Sequence, residues 1–312
     1  MTPEFLEALI PMIDPSLVHF NKRCVAVSTS ASGSHVLHFA GGGSHETDLV
    51  IGADGIKSVV RNFVSGDSKG VAYSKTIAYR AVVPTETLEK AGVKTDMTSR
   101  PIGWLGPNKH IITFPMQAKK LINIVFFSTN SKVPIGPADP TFWVQASSKE
   151  ELLDEYCGWG NDVAIMLQQM ENPSKCHYPA LFGKEWSLSV MPLALIVAYK
   201  AHAMLPHLGA GAGQGLEDAF ALCALLGDAR TRGHNLEMAL KAYDTIRVPR
   251  ANMVLKMSAD AGDIYEGRGM AGNTVPDMRK QLAGIWGPVW HHDLAGEVRR
   301  AINNLYGRKA YL

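Results

Sequence analysis

The chain has little cysteine, no block of charge of one sign and no long apolar stretch. Its four cysteines, Cys24, Cys157, Cys176 and Cys223, lie far apart, with no CxxC pair and no Cys/His spacing of a zinc site. They read as reduced thiols of an intracellular protein, so a cytoplasmic location is expected and a disulfide scaffold is excluded. Among eleven histidines only His291-His292 and His202/His207 are close neighbours, and neither pair has HExxH or i, i+4 spacing. No metal site is expected. Lys and Arg number 31 against 29 Asp and Glu, a formal net charge of +2. Without clustered basic residues, no nucleic-acid partner is expected. Apolar runs such as Met191–Ala198 fall far short of the ~20 residues of a membrane-spanning helix. No charged region followed by an apolar core opens the chain, so no secretory signal is expected either.

Two nucleotide-binding fingerprints are also missing. GxGxxG needs glycine at i, i+2 and i+5. Counted from Gly209, Gly211 and Gly213, the last position is Gln214, Leu216 and Asp218; counted from Gly41 it is Glu46. No GxxxxGK[ST] occurs. What remains is an ordinary globular composition, 46% hydrophobic and 19% charged, which excludes disorder.

Helical spacing covers residues 3–12, followed by short β-type runs at His19-Phe20, 24–27, 36–39 and 49–52. A short helix is expected over Ile56–Phe63, then strands at 76–84, 102–105, 110–116 and 121–128. From Lys149 the period becomes helical, over 149–157 and 161–170. A buried strand is expected at 193–197, and helices at Leu216–Leu226, 235–262 and 294–305. This mixture argues an α/β or mixed α+β fold in two lobes.

Two stretches carry candidate chemistry. Between a buried strand and a helix lies HAMLPHLGAGAGQGLED, residues 202–218. Its alternating glycines let the backbone approach a ligand with N–H groups outward, and the following helix adds its positive end. The bland alternative is a plain strand-to-helix connection. The second stretch is DLVIGADGIKSVVR, residues 48–61. Here Asp54 is either a turn-former and helix cap or an acceptor for a ligand hydroxyl.

DLVIGADGIKSVVR resembles the DG motif of the class A flavin-dependent monooxygenases, the aromatic-hydroxylase family. HAMLPHLGAGAGQGLEDAFAL resembles the second half of that family's other flavin motif, most closely in the fungal salicylate-hydroxylase-like branch. TIAYRAVVP, GWLGPNKHIITFPM, YDTIRVPRANMV and IWGPVWHHDL follow in family order. The resemblance implies FAD as cofactor, NAD(P)H as co-substrate and O₂. A flavin C4a-hydroperoxide would hydroxylate or epoxidise an aromatic or secondary-metabolite substrate. It further implies that Asp54, with Arg61 nearby, serves the flavin and nicotinamide side. The amides of Gly211, Ala212 and Gly213 would face the flavin's pyrimidine edge, where negative charge grows on reduction. Pro206 and His207 would lie close to the ring. Arg80 would face the substrate pocket and suit a carboxylated aromatic; its alternative is a surface or interlobe ion pair.

The chain departs from the family twice. The resemblance implies a Rossmann-type FAD lobe whose first β-α-β unit, at least ~30 residues, has no counterpart here; a shortened or mis-spliced form is expected. The family's GDAAHAM reads Ala198-Tyr199-Lys200-Ala201-His202-Ala203-Met204, so Tyr199 replaces an aspartate bonding the flavin's ribityl chain. One charge-assisted hydrogen bond is worth ~1.5–3 kcal/mol. The expected layout is a remnant FAD lobe over 1–75, an antiparallel-sheet substrate lobe over 76–190, and a return to the FAD lobe with helices over 191–312. The competing readings are a flavin-free scaffold repurposed as a non-redox cyclase or isomerase, and a catalytically silent binding protein.

Overall fold

The computed structural model describes residues 3–55, 57–65, 72–130, 132, 144–171, 173–180, 194–196 and 204–307. Two compact units divide the chain. One comprises Met1–Ser68, Gly183–Lys256 and Pro288–Leu312, the other Lys69–Phe182 and Met257–Gly287. Residues 257–287, inside the expected 191–312 segment, therefore cluster with the 69–182 unit.

The first unit opens with helix α1 (Pro3–Leu9), which tightens into a 3-10 turn at Ile10–Met12. Pro11 cannot donate to an α-helical ladder, so the helix ends short of the expected residue 12. His19-Phe20 is not a strand; the segment reaches β1 through a turn with Asn21 at φ 58°. Strands β1 (Cys24–Thr29), β2 (His35–Phe39) and β3 (Ser44–Thr47) form an antiparallel meander. β4 (Val50–Gly52) leads through Asp54 to helix α2 (Val59–Ser65), three residues later than expected. Gly52 is required by packing: a Cβ there would lie 2.6 Å from the Val60 Cβ.

The second unit is built on β5 (Ala72–Pro84), followed by helix α3 (Thr85–Lys90). Next come β6 (Ile102–Gly106), β7 (Lys109–Met116), β8 (Leu121–Thr129) and β9 (Val144–Ala146). Helices α4 (Lys149–Glu155) and α5 (Asn161–Gln168) and strand β10 (Ser174–Ala180) complete this stretch. The strands form one six-stranded sheet, ordered β6-β7-β8-β5-β10-β9, with every neighbouring pair antiparallel. One face packs Tyr79, Val83, Ile111, Ile122, Ile124 and Phe126 against Leu88, Leu152, Val163 and Met166 of the helices. Because strand side chains alternate, Arg80 and Val82 go to the opposite face. In register there, Arg80 pairs with Val125, which pairs with Ile112.

The chain then returns to the first unit as β11 (Ala194–Ile196), parallel to β4, with Gly52 opposite Ile196. Helix α6 (Gly211–Leu226) and the long helix α7 (Leu236–Tyr265) follow. After them come α8 (Val275–Leu282), α9 (Gly287–Trp290) and α10 (Leu294–Tyr306). Val50, Val60 and Val64 share one core with Ala221, Leu222, Leu225, Leu240, Tyr243 and Val298. In the second unit, His110 stacks on Phe127 with centroids 4.4 Å apart and meets Tyr265 at 5.3 Å. His110 Nδ1 lies 2.9 Å from Glu266 Oε1, and Arg268 closes on the other carboxylate oxygen at 2.5 Å.

Candidate functional site

In the first unit the two motif stretches leave the carboxyl ends of neighbouring parallel strands, the usual ligand position in open α/β sheets. From β4, Gly55 (φ 73°) turns the chain. Asp54 Oδ2 accepts the Val59 amide at 2.8 Å and Oδ1 accepts the Ser58 hydroxyl. Ser58 Oγ in turn accepts the Arg61 amide at 2.9 Å. Asp54 therefore does what a helix cap does for α2, and its side chain sits in an exposed residue. Arg61, one turn on, is 4% exposed.

After β11, residues 197–203 lie outside the described residues, and Tyr199 with them. Pro206–Leu208 form a 3-10 turn that Gly209 closes at φ 64°, its N–H donating to Pro206 O at 2.9 Å. His207 and Leu208 are buried beneath this turn, and Pro206 is half-buried. α6 then starts at Gly211, five residues before the expected Leu216, so most of the glycine run is helical. Ala210 caps it without a side-chain hydrogen bond. The first amide returning to the cap is Gln214 N–H, to Ala210 O at 2.9 Å. The Gly211, Ala212 and Gly213 amides thus precede the helical ladder and have no helical acceptor. A Cβ added at Gly209 or Gly213 would meet nothing within 4 Å. Three N–H donors at a positive helix end suit an anion or an electron-rich carbonyl edge. A flavin's pyrimidine edge is such a group.

A glycine in a helix interior costs about 1 kcal/mol relative to alanine, so this turn needs an anchor. Arg247 of α7, 1% exposed, provides one that sequence reasoning missed. Its Nε donates to Asp218 Oδ1 at 2.8 Å and Nη1 to Glu217 Oε2 at 2.6 Å. Nη2 reaches Gln214 Oε1 at 2.9 Å and Gln214 O at 3.3 Å. Arg250 donates to both Glu217 oxygens and to the Pro288 and Val289 carbonyls. Burial opposes ionisation of Glu217, yet the Arg250 hydrogen bond and the two arginine charges outweigh it and hold the carboxyl below its usual range. The sequence signal was an Arg-x-x-Arg spacing on a helix that also carries buried apolar residues.

Arg80 belongs to the second unit. It is exposed on the sheet face opposite α3, α4 and α5, the face on which His110 stacks on Phe127 and meets Tyr265, and Val82, Phe114 and Val125 share that face with it. A guanidinium on such a face is suited to hold a carboxylate in two hydrogen bonds. Among the described residues no group of three His, Cys, Asp or Glu could hold a metal, and no helix is long and apolar enough to cross a membrane.

No family model matches the chain. Two salicylate hydroxylases of Pseudomonas putida are 35% and 36% identical to it, each over 96% of this chain and 70% of the relative. The chain belongs to the FAD-dependent aromatic hydroxylases. A fungal member, the 6-methylsalicylate 1-monooxygenase of Aspergillus terreus, is 28% identical over 96% of this chain and 67% of its own. Among solved structures, a salicylate hydroxylase substrate complex superposes with a TM-score of 0.86 at 31% identity. It covers 96% of this chain and 74% of that one. Klebsiella pneumoniae HpxO, solved with FAD and uric acid, shares the fold at TM-score 0.69 and 18% identity, over 96% and 71% of the two chains. FAD is thus the cofactor of the family in which this chain falls, and the mixed α/β architecture is the family's own.

Proposed function

We propose that the chain is a FAD- and NAD(P)H-dependent monooxygenase that hydroxylates or epoxidises a carboxylated aromatic or related secondary metabolite. The observation that carries this reading is the uncapped start of α6. Three amides without a helical acceptor open it, in a chain 35% identical to salicylate hydroxylase. When bound, FAD supplies reduction by NAD(P)H and the activation of O₂.

The protein's own residues bind, orient and exclude water. In this proposal the Gly211, Ala212 and Gly213 amides stabilise the charge that develops at the pyrimidine edge. Asp54, with Arg61 nearby, serves the flavin and nicotinamide side, and Tyr199 stands where the family's aspartate bonds the ribityl chain. Pro206 and His207 form the wall beside the ring, and Arg80 holds the substrate carboxylate. Four free cysteines support a cytoplasmic setting. The readings as a non-redox cyclase or isomerase, or as a silent binding protein, are not favoured, since the relatives are named monooxygenases.

The test is spectroscopic. The purified chain, incubated with FAD and desalted, is expected to be yellow and to oxidise NAD(P)H faster when an aromatic carboxylate such as salicylate is added. A protein that stays colourless in excess FAD would overturn the assignment.

A further inference from the structure

The first turn of α6 combines features that do not hold a helix together: glycines at 211, 213 and 215 and a cap residue, Ala210, that offers no side-chain acceptor. Among the described residues, the Gly211, Ala212 and Gly213 amides have no helical acceptor in the chain preceding them. What fixes the turn comes from another helix. Every hydrogen bond of the Arg247 guanidinium among the described residues goes to α6, and all fall within residues 214–218. Gln214, the residue directly after the three open amides, receives two of them, one at its backbone carbonyl. Both Gln214 and Arg247 are 1% exposed. A buried guanidinium is tolerated only when its donors are matched, and here the carboxylates of Glu217 and Asp218 balance the charge.

From this geometry we infer that Arg247 is a positioning residue for the cofactor: it sets the direction of the Gly211–Gly213 amides toward the flavin edge. The inference rests on the FAD reading above. Arg247 does not touch the ligand itself; it acts through the backbone of Gln214 and the register of the first turn. Its planar fork matters as well as its charge, because three separate acceptor groups lie along α6 and one ammonium point cannot reach them together. Arg250 shares Glu217 but otherwise bonds the Pro288 and Val289 carbonyls, and among the described residues none of its hydrogen bonds reaches Gln214 or residues 211–213. It is the natural control.

The experiment compares the wild-type chain with Arg247→Met, Arg247→Lys and Arg250→Lys. FAD affinity is read by flavin fluorescence titration, the two-electron potential of the bound flavin by dye equilibration, and Tm in parallel. Arg247→Met is expected to weaken FAD binding 10- to 100-fold and to lower the potential, since the positive helix end no longer faces the reduced ring. Arg247→Lys is expected to recover part of the affinity and to stay folded if the Met variant does not. Arg250→Lys is expected to lower Tm while leaving affinity within about twofold and the potential unmoved. If Arg247→Lys loses Tm yet keeps both affinity and potential, or if Arg250→Lys shifts them equally, Arg247 is only a packing residue and the inference falls. If the wild-type chain binds no FAD, it is the functional reading that fails.

Discussion

Gly52 and Asp54 stand two residues apart and are constrained by different physics. At Gly52 the strand passes so near α2 that a methyl group would overlap Val60. Gly52→Ala is expected to cost ~1–3 kcal/mol, the usual penalty for overpacking a tight contact, seen as a lower denaturation midpoint with unchanged m-value. Asp54, by contrast, is exposed, and its carboxylate is spent on the first turn of α2. Both residues were visible in the sequence, Gly52 as a strand-ending glycine and Asp54 as a turn aspartate. The sequence left cap and ligand roles for Asp54 equally open. The structure supplies the cap, on a residue that stays exposed. Arg247 shows the opposite case. Its local signal is only the Arg-x-x-Arg spacing; its partners lie 29 and more positions away, and the packing of two helices makes it buried.

At the scale of elements, the strongly periodic segments were legible and the ends were not. The strands of the sheet at 76–84, 110–116 and 121–128 and the helix over 294–305 lie where alternation and helical spacing put them. β10 was not readable, because Ser-Lys-Cys-His-Tyr-Pro-Ala has no apolar alternation; pairing with β5 and β9 makes it a strand. α8 went unread although Thr274 and Asp277 form a capping box. The start of α6 was misplaced for a physical reason: glycine reads as loop by propensity, and a tertiary anchor reverses that. Capping gives this scale its own test. Asp54→Ala should lose ~0.5–2 kcal/mol, the ordinary worth of a cap, whereas Asp54→Ser should keep most of it. If FAD affinity drops in both variants, the carboxylate also serves the ligand; if it follows only the loss of the cap, the role is structural. Chemical denaturation and fluorescence titration on the same samples separate the two.

At the scale of the whole molecule, a buried carboxyl in the first unit and a buried His–Glu pair in the second answer pH in opposite directions. In the second unit burial pushes the His110 imidazole below its ordinary value, although Glu266 pulls the other way. Glu266 is opposed by burial but held below the usual carboxylate range by the His110 hydrogen bond and by His110 and Arg268. The unfolded chain therefore binds more protons than the folded unit, so stability rises with pH, through about 6.5 for the histidine and below about 4.5 for the glutamate. In the first unit the Asp244 carboxyl is pushed up by burial to about 7, and its Oδ1 has no hydrogen-bond partner among the described residues. There the folded state binds the extra proton, so stability is lost as pH climbs from about 4 to about 7. Calorimetry at pH 5 and pH 7.5 should show the transition of the first unit moving down and that of the second moving up. Asp244→Asn should remove the first movement, raising the first unit's Tm at pH 7.5 far more than at pH 5 and leaving the second unit's transition where it was. A substitution that raised Tm equally at both pH values would mean that Asp244 is ionised throughout and that its burial has no bearing on the pH response.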